Sequence, residues 1–212
     1  MQASSRLTLI RHAQATTNTR PKLIGGYQPL APLTDLWKNQ AIALWHRLKN
    51  EKFILKQEGR IYSSPAVRTT DTTTIVCGIL GLPPKSIAID ERLRELGQGE
   101  WENKPRNTVY TPVLKTTIDA SQGTYRSSGG ESQIDVGDRM LSWVETVKNT
   151  PHTIVFSHGM AIKCLVQRLL DLPPGTAHHH ELWNTGITEL EYTGEYWRLL
   201  RFNDHSHIHW LV

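Results

Sequence analysis

Short apolar runs alternate with helix-spaced apolar stripes along this 212-residue chain, and that alternation confines its fold more than any other feature. Residues 7–10 and 153–156 form short apolar runs ending at polar residues, as buried strands do, and 60–63 and 87–89 read as two more strands. Trp37, Ala41, Leu44 and Leu48 share one helical face, with Thr34 placed to cap the first turn. A second helix is predicted over about 66–80, stopped by Gly81 and then Pro83 and Pro84. Val136, Met140, Val144 and Val147 make a further stripe, and another helix is expected over about 160–170. Two antiparallel strands, 187–192 and 197–202, close the chain through Thr193, Gly194 and Glu195. The expected class is α/β: a three-layer sandwich with a mainly parallel central sheet flanked by helices. Residues 1–212 read as one domain. The stretch at about 97–131, weakly periodic and rich in Gly, Ser and Thr, reads as a lid-like insertion over the sheet.

In such sheets ligands sit beyond the carboxyl ends of the strands. The first strand ends in Ile10-Arg11-His12-Ala13, the second leads through Ser63-Ser64-Pro65 to Arg68, and a later one ends in Phe156-Ser157-His158-Gly159. If the strands run parallel, two arginines and two histidines converge on one small volume. Unpaired, such a cluster repels itself, and a phosphate removes the repulsion by accepting from the guanidinium groups. Helix N-termini after His12 and after Gly159 would add amide donors. A neutral imidazole can attack phosphorus, so His12 is the candidate nucleophile, with Arg11, Arg68 and His158 around the equatorial oxygens. The leaving oxygen needs a proton, and Glu95, expected to be held neutral by its surroundings, is the candidate donor.

The bulk numbers fit this without demanding it. A net charge of +4 suits an anionic substrate, but the basic residues are scattered, which argues against nucleic acid as a partner. No apolar run reaches the roughly 18 residues of a membrane-crossing helix, and the first residues lack a secretory signal pattern, so a cytoplasmic protein is expected. Cys77 and Cys164 fall in apolar helical surroundings and read as reduced core thiols. Most tryptophans read as core, with Trp101 as a lid aromatic over the substrate. His178, His179 and His180, like His205, His207 and His209, read as solvated histidines, since no Cys or carboxylate pattern supports a metal site.

Taken in order, these motifs resemble the histidine phosphatase superfamily, also called phosphoglycerate mutase-like, over nearly the whole chain. Arg11-His12-Ala13 followed by Asn18 is similar to its Arg-His-Gly signature, and Leu33-Thr34 with Gln40-Ala41 to its first helix. Tyr62-Ser63-Ser64-Pro65 with Arg68 resembles the second phosphate-binding segment, and the run from Glu95 to Glu102 the acid-donor stretch. Gly129-Gly130-Glu131-Ser132, Ser157-His158-Gly159, and Asn203-Asp204 with His207 match later signatures. The resemblance implies that His12 forms a phosphohistidine and that Arg11, Asn18, Arg68 and His158 bind the phosphoryl group. It implies Glu95 as acid and then base, no metal or organic cofactor, and a small phosphorylated substrate. Ala13, Trp37 and Asn103 stand where many members have glycine, and Gly25 to Leu30 are atypical for the substrate mouth. The short interval from Glu95 to His158 favours a phosphatase over a mutase. A phosphoglycerate mutase-type transferase and a silent phosphate-binding pseudophosphatase are the alternatives. The sequence does not specify the oligomeric state.

Overall fold

A computed structural model describes residues 4–50 and 60–211. Six strands form one sheet in the order β3-β2-β4-β1-β5-β6. They are β1 (Ser5–Arg11), β2 (Arg60–Ser63), β3 (Ile87–Ile89), β4 (His152–Ser157), β5 (Ile187–Tyr192) and β6 (Trp197–Asp204). The first four are mutually parallel, and β5 and β6 add an antiparallel margin beside β1. The mainly parallel α/β expectation holds, and every strand read from the sequence is present.

Side-chain alternation along the central strands builds the layers. Leu7, Leu9 and Val155 face one way, against α5 (Gln133–Val147) and α6 (Gly159–Leu169). Ile10, Ile154 and Phe156 face the other, against α1 (Trp37–Asn50) and α2 (Val67–Ile79). Because β1 and β4 are covered on both faces, they read as near-continuous apolar runs. The predicted stripes are the buried faces: Ala41, Leu44 and Leu48 on α1, and Val136, Met140, Val144 and Val147 on α5. A reciprocal capping box between Ser132 and Asp135 starts α5. Cys77 and Cys164 lie in opposite layers, both free and buried. Burial raises their thiols to about 11 and about 12 respectively. No helix among the described residues is long and apolar enough to cross a membrane.

Several local expectations fail for clear reasons. Thr34 does not cap α1, which begins three residues later; its hydroxyl donates to Gln14 instead. No helix follows His12, since the chain from there to α1 is irregular. The stretch at 97–131 carries two short helices not read from the sequence, α3 (Arg106–Val109) and α4 (Pro112–Ala120), the latter with no fully buried residue. Its apolar Leu114 and Ile118 are only half-buried. Trp143 is fully buried, but Trp183 and Trp210 are exposed, so the tryptophans are core only in part. Asn103, standing where glycine was expected, adopts φ +64°, a region asparagine tolerates better than most residues.

Candidate active site

Parallel pairing does the assembling. Arg11 lies beside Ser157 in the β1–β4 register, and Ser63 beside Phe156 in β2–β4. The next residues, His12, Ser64 and His158, therefore emerge from one sheet edge. Arg68 enters from the first turn of α2. All of His12, Ser64, Arg68 and His158 are buried.

Arg68 binds the two histidines together. Its Nε donates to His12 Nε2 at 3.2 Å, and its Nη2 to His158 Nδ1 at 3.1 Å. The same guanidinium donates to the carbonyls of Gln28 at 2.8 Å and Tyr27 at 2.9 Å, holding the mouth segment. His12 Nδ1 lies 2.6 Å from the Ala13 carbonyl, which can only accept. The proton therefore sits on Nδ1, and Nε2 presents a lone pair. By the same logic His158 carries its proton on Nε2 and donates to Ser64 Oγ at 2.8 Å. The two rings stand edge to face with centroids 5.2 Å apart.

Burial, reinforced by Arg68 and Arg11, holds His12 well below the usual imidazole range. His158 is lowered for the same first reason, with Arg68 again the leading charge. Both rings are thus kept neutral beside two cations. Arg11 reaches the Leu182 carbonyl through Nη1, while its buried Nε has no partner among the described residues. A buried guanidinium donor left open at this edge is what an anion would satisfy.

Glu95 follows the third strand and lines the same cavity. Its Oε1 accepts from the amides of Leu96 at 2.8 Å and Ala161 at 3.0 Å, and its Oε2 from Met160 at 3.2 Å. Two of these donors are the first turn of α6, so that helix end serves the carboxylate. Arg139 supports the stretch from behind, donating to the carbonyls of Glu95 and Arg92 while its other end grips Glu131. Glu131 in turn accepts from the Gly97 amide at 3.0 Å.

The structure thus brings Arg11, His12, Asn18, Arg68 and Glu95 around one cavity of about 260 Å³, with His158 behind Arg68. Arg20 and Arg106 also line it. Leu96, Gln98, Arg106 and Met160 are shared with a larger cavity of about 680 Å³, lined by Trp101, Tyr110 and Tyr125. Trp101 stacks on Tyr125 and meets Tyr110 edge-on.

Some participants carried no sequence signal. Asn184 donates to the His12 carbonyl at 3.0 Å and to Asn18 Oδ1 at 3.2 Å, and Thr72 Oγ1 accepts from the Ala13 amide at 3.1 Å. Both hold the turn that aims His12. His205, His207 and His209 do not share a strand face, because Ser206–Ile208 is a helical turn. His207 alone is buried, with its Nε2 3.1 Å from Thr185 Oγ1, one residue from Asn184. His178 to His180 are exposed, yet folding supplies the carboxylate missing from the local sequence: Asp119 lies 3.2 Å from His178.

Comparison with known proteins agrees with this geometry. The family model of the histidine phosphatase superfamily (branch 1) matches residues 7–205. The probable phosphoglycerate mutase GpmB of Yersinia pestis is 30% identical over 196 residues, covering 89% of this chain and 86% of the relative. A mycobacterial glucosyl-3-phosphoglycerate phosphatase superposes with a TM-score of 0.79 at 25% identity, over 94% of this chain and 99% of the other. Bacillus stearothermophilus YhfR does so at 0.80 and 28%, over 96% and 99%.

Proposed function

The chain belongs to the histidine phosphatase superfamily, and on that footing we propose that it hydrolyses small phosphomonoesters through a phosphohistidine at His12. The observation that carries this reading is the lone pair of His12 Nε2, held between an Nδ1–H···O=C bond and the Arg68 guanidinium in a cationic pocket. An arriving phosphate draws the Arg68 donors from the ring onto its own oxygens and frees that lone pair. Arg11 Nε and Asn18 complete the cradle, and His158 steadies Arg68 from behind. His12 Nε2 then attacks phosphorus in line, the bond to the leaving oxygen breaks, and Glu95 gives that oxygen a proton. Water attacks the phosphohistidine, Glu95 takes the water's proton back, and inorganic phosphate departs.

Glu95 is held in place as an acceptor of three amide hydrogen bonds. The leaving group extends past Leu96 and Met160 into the larger aromatic-walled cavity, roofed by residues 97–131 acting as a lid. The mutase reading keeps one support, the likeness to a probable phosphoglycerate mutase.

The test is phosphate release from 4-nitrophenyl phosphate by the native chain and by His12→Ala. Turnover in the first and none in a folded second is expected. Retained turnover in His12→Ala would overturn the nucleophile. Transfer of phosphate to an added acceptor, dependent on a bisphosphorylated primer, would favour the mutase.

A further inference from the structure

We propose that Asp119, His178 and His179 bind a divalent transition metal of the zinc class, clasping α4 to the turn that follows α6. One donor atom from each of these three exposed residues falls within 4.8 Å of the others. They come from separate elements: Asp119 from the last turn of α4, the histidines from a helical turn at Thr176–His179. His178 Nε2 and Asp119 Oδ1 are 3.2 Å apart. Two ligands at about 2.0–2.1 Å in a tetrahedron stand about 3.3 Å apart, so this edge already has the spacing a zinc ion needs. The two imidazoles select zinc, cobalt, nickel or copper over magnesium or calcium, and open solvent supplies the remaining ligand.

A second observation concerns how His178 is held from behind. Gln133, at the start of α5, places its amide 3.3 Å from His178 Nδ1, and its buried Oε1 has no partner among the described residues. Turning that amide end for end lets Oε1 accept the Nδ1–H. The His178 Nε2 lone pair is then free to face a cation seated against Asp119. An imidazole whose far nitrogen is fixed by an oxygen is how metal-binding histidines are oriented.

The frame around the donors is also fixed. The backbones of Gly123 and Gly175 approach so closely that a Cβ on Gly123 would lie 2.9 Å from Gly175 N. Both take positive φ, +83° and +85°, and the Gly123 carbonyl accepts from the Ile134 amide. The end of the insertion, the turn at 175 and the start of α5 thus meet at one joint. A metal at Asp119 and His178, both on the rim of the larger cavity, adds a second point of attachment and restrains the roof.

The experiment uses the chelator-treated full chain, titrated with Co²⁺ under visible absorption and with Zn²⁺ by calorimetry. One equivalent is expected, with tetrahedral cobalt bands. Asp119→Asn and His178→Gln should each weaken binding about tenfold or more, whereas His209→Gln, at an exposed histidine elsewhere, should not. Zinc should also slow proteolytic cutting within 97–131, and Asp119→Asn should remove that protection. The absence of binding would overturn the site, as would binding that both ligand variants leave unchanged. Binding without protection would overturn the clasp. None of these readouts depends on phosphatase turnover.

Discussion

Lowering the pH from 7.5 to 5.5 in phosphate-free buffer should destabilise the folded chain by about 2.7 kcal/mol through His12 and His158 alone. Both lie almost wholly out of solvent, 3% and 0% exposed, and both are held well below the usual imidazole range, chiefly by burial. The sign follows from which state binds protons. An unfolded imidazole, with a pKa near 6.5, goes from about one-tenth to about nine-tenths protonated across this window. The folded rings stay neutral, so the unfolded state gains protons that the folded state does not, and stability falls with pH. Integration gives about 1.4 kcal/mol for each ring, full stability lying above pH 6.5. His152, lowered to about 4 by burial and then Arg6, adds a comparable increment that the native chain and the variant share. Ordinary carboxylates titrate below this window and leave it clean. The assay is urea unfolding at a series of pH values for the native chain and for His12→Asn/His158→Asn. The double variant should lose about 2.7 kcal/mol less over the same interval. Equal pH dependence in the two proteins would refute the claim that the folded site refuses these protons.

Two further outcomes bear on the site and its insertion. Glu95→Gln should release about one equivalent of nitrophenolate from 4-nitrophenyl phosphate in a burst and then turn over slowly, while alkyl phosphates lose about 10²–10⁴-fold at the first step. Equal losses on both ester classes, with no burst, would remove Glu95 from the proton transfer. Gly99→Ala should destabilise the chain by about 1–3 kcal/mol in urea unfolding. Gly99 adopts φ +51°, and its Cβ would meet the Ser128 carbonyl oxygen at 2.1 Å. A change under about 0.5 kcal/mol would mean that this crossing is not tight.

The parallel core was readable because strands covered on both faces concentrate apolar residues into short runs, and these place Arg11, His12 and His158 at their exits. Arg68 was readable from its position after Ser64 and Pro65. What escaped depends on contacts between segments far apart in the chain. Asn184 reaches His12 across 172 positions, and Asp119 reaches His178 across the whole of α5, β4 and α6. The local environment of Glu95 could not be read either. Its partners are amides, which every residue carries, so no side-chain pattern announces them. The helix α4 was missed although Leu114 and Ile118 stand one turn apart, because a stripe of two residues in nine positions is too short to stand out.

Arg68 joins two things that could have been separate: the ring expected to do the chemistry and the carbonyls of residues 26–28 at the mouth. Inherited changes in that mouth cannot retune which molecules enter while leaving reactivity alone, because each shift of a carbonyl pulls on the guanidinium touching His12. On the proposed reaction, selectivity and rate should therefore change together. A lineage that alters residues 26–28 to accept a new ester must pass through variants whose nucleophile is differently aimed, and recovery of rate should come from second changes around α2.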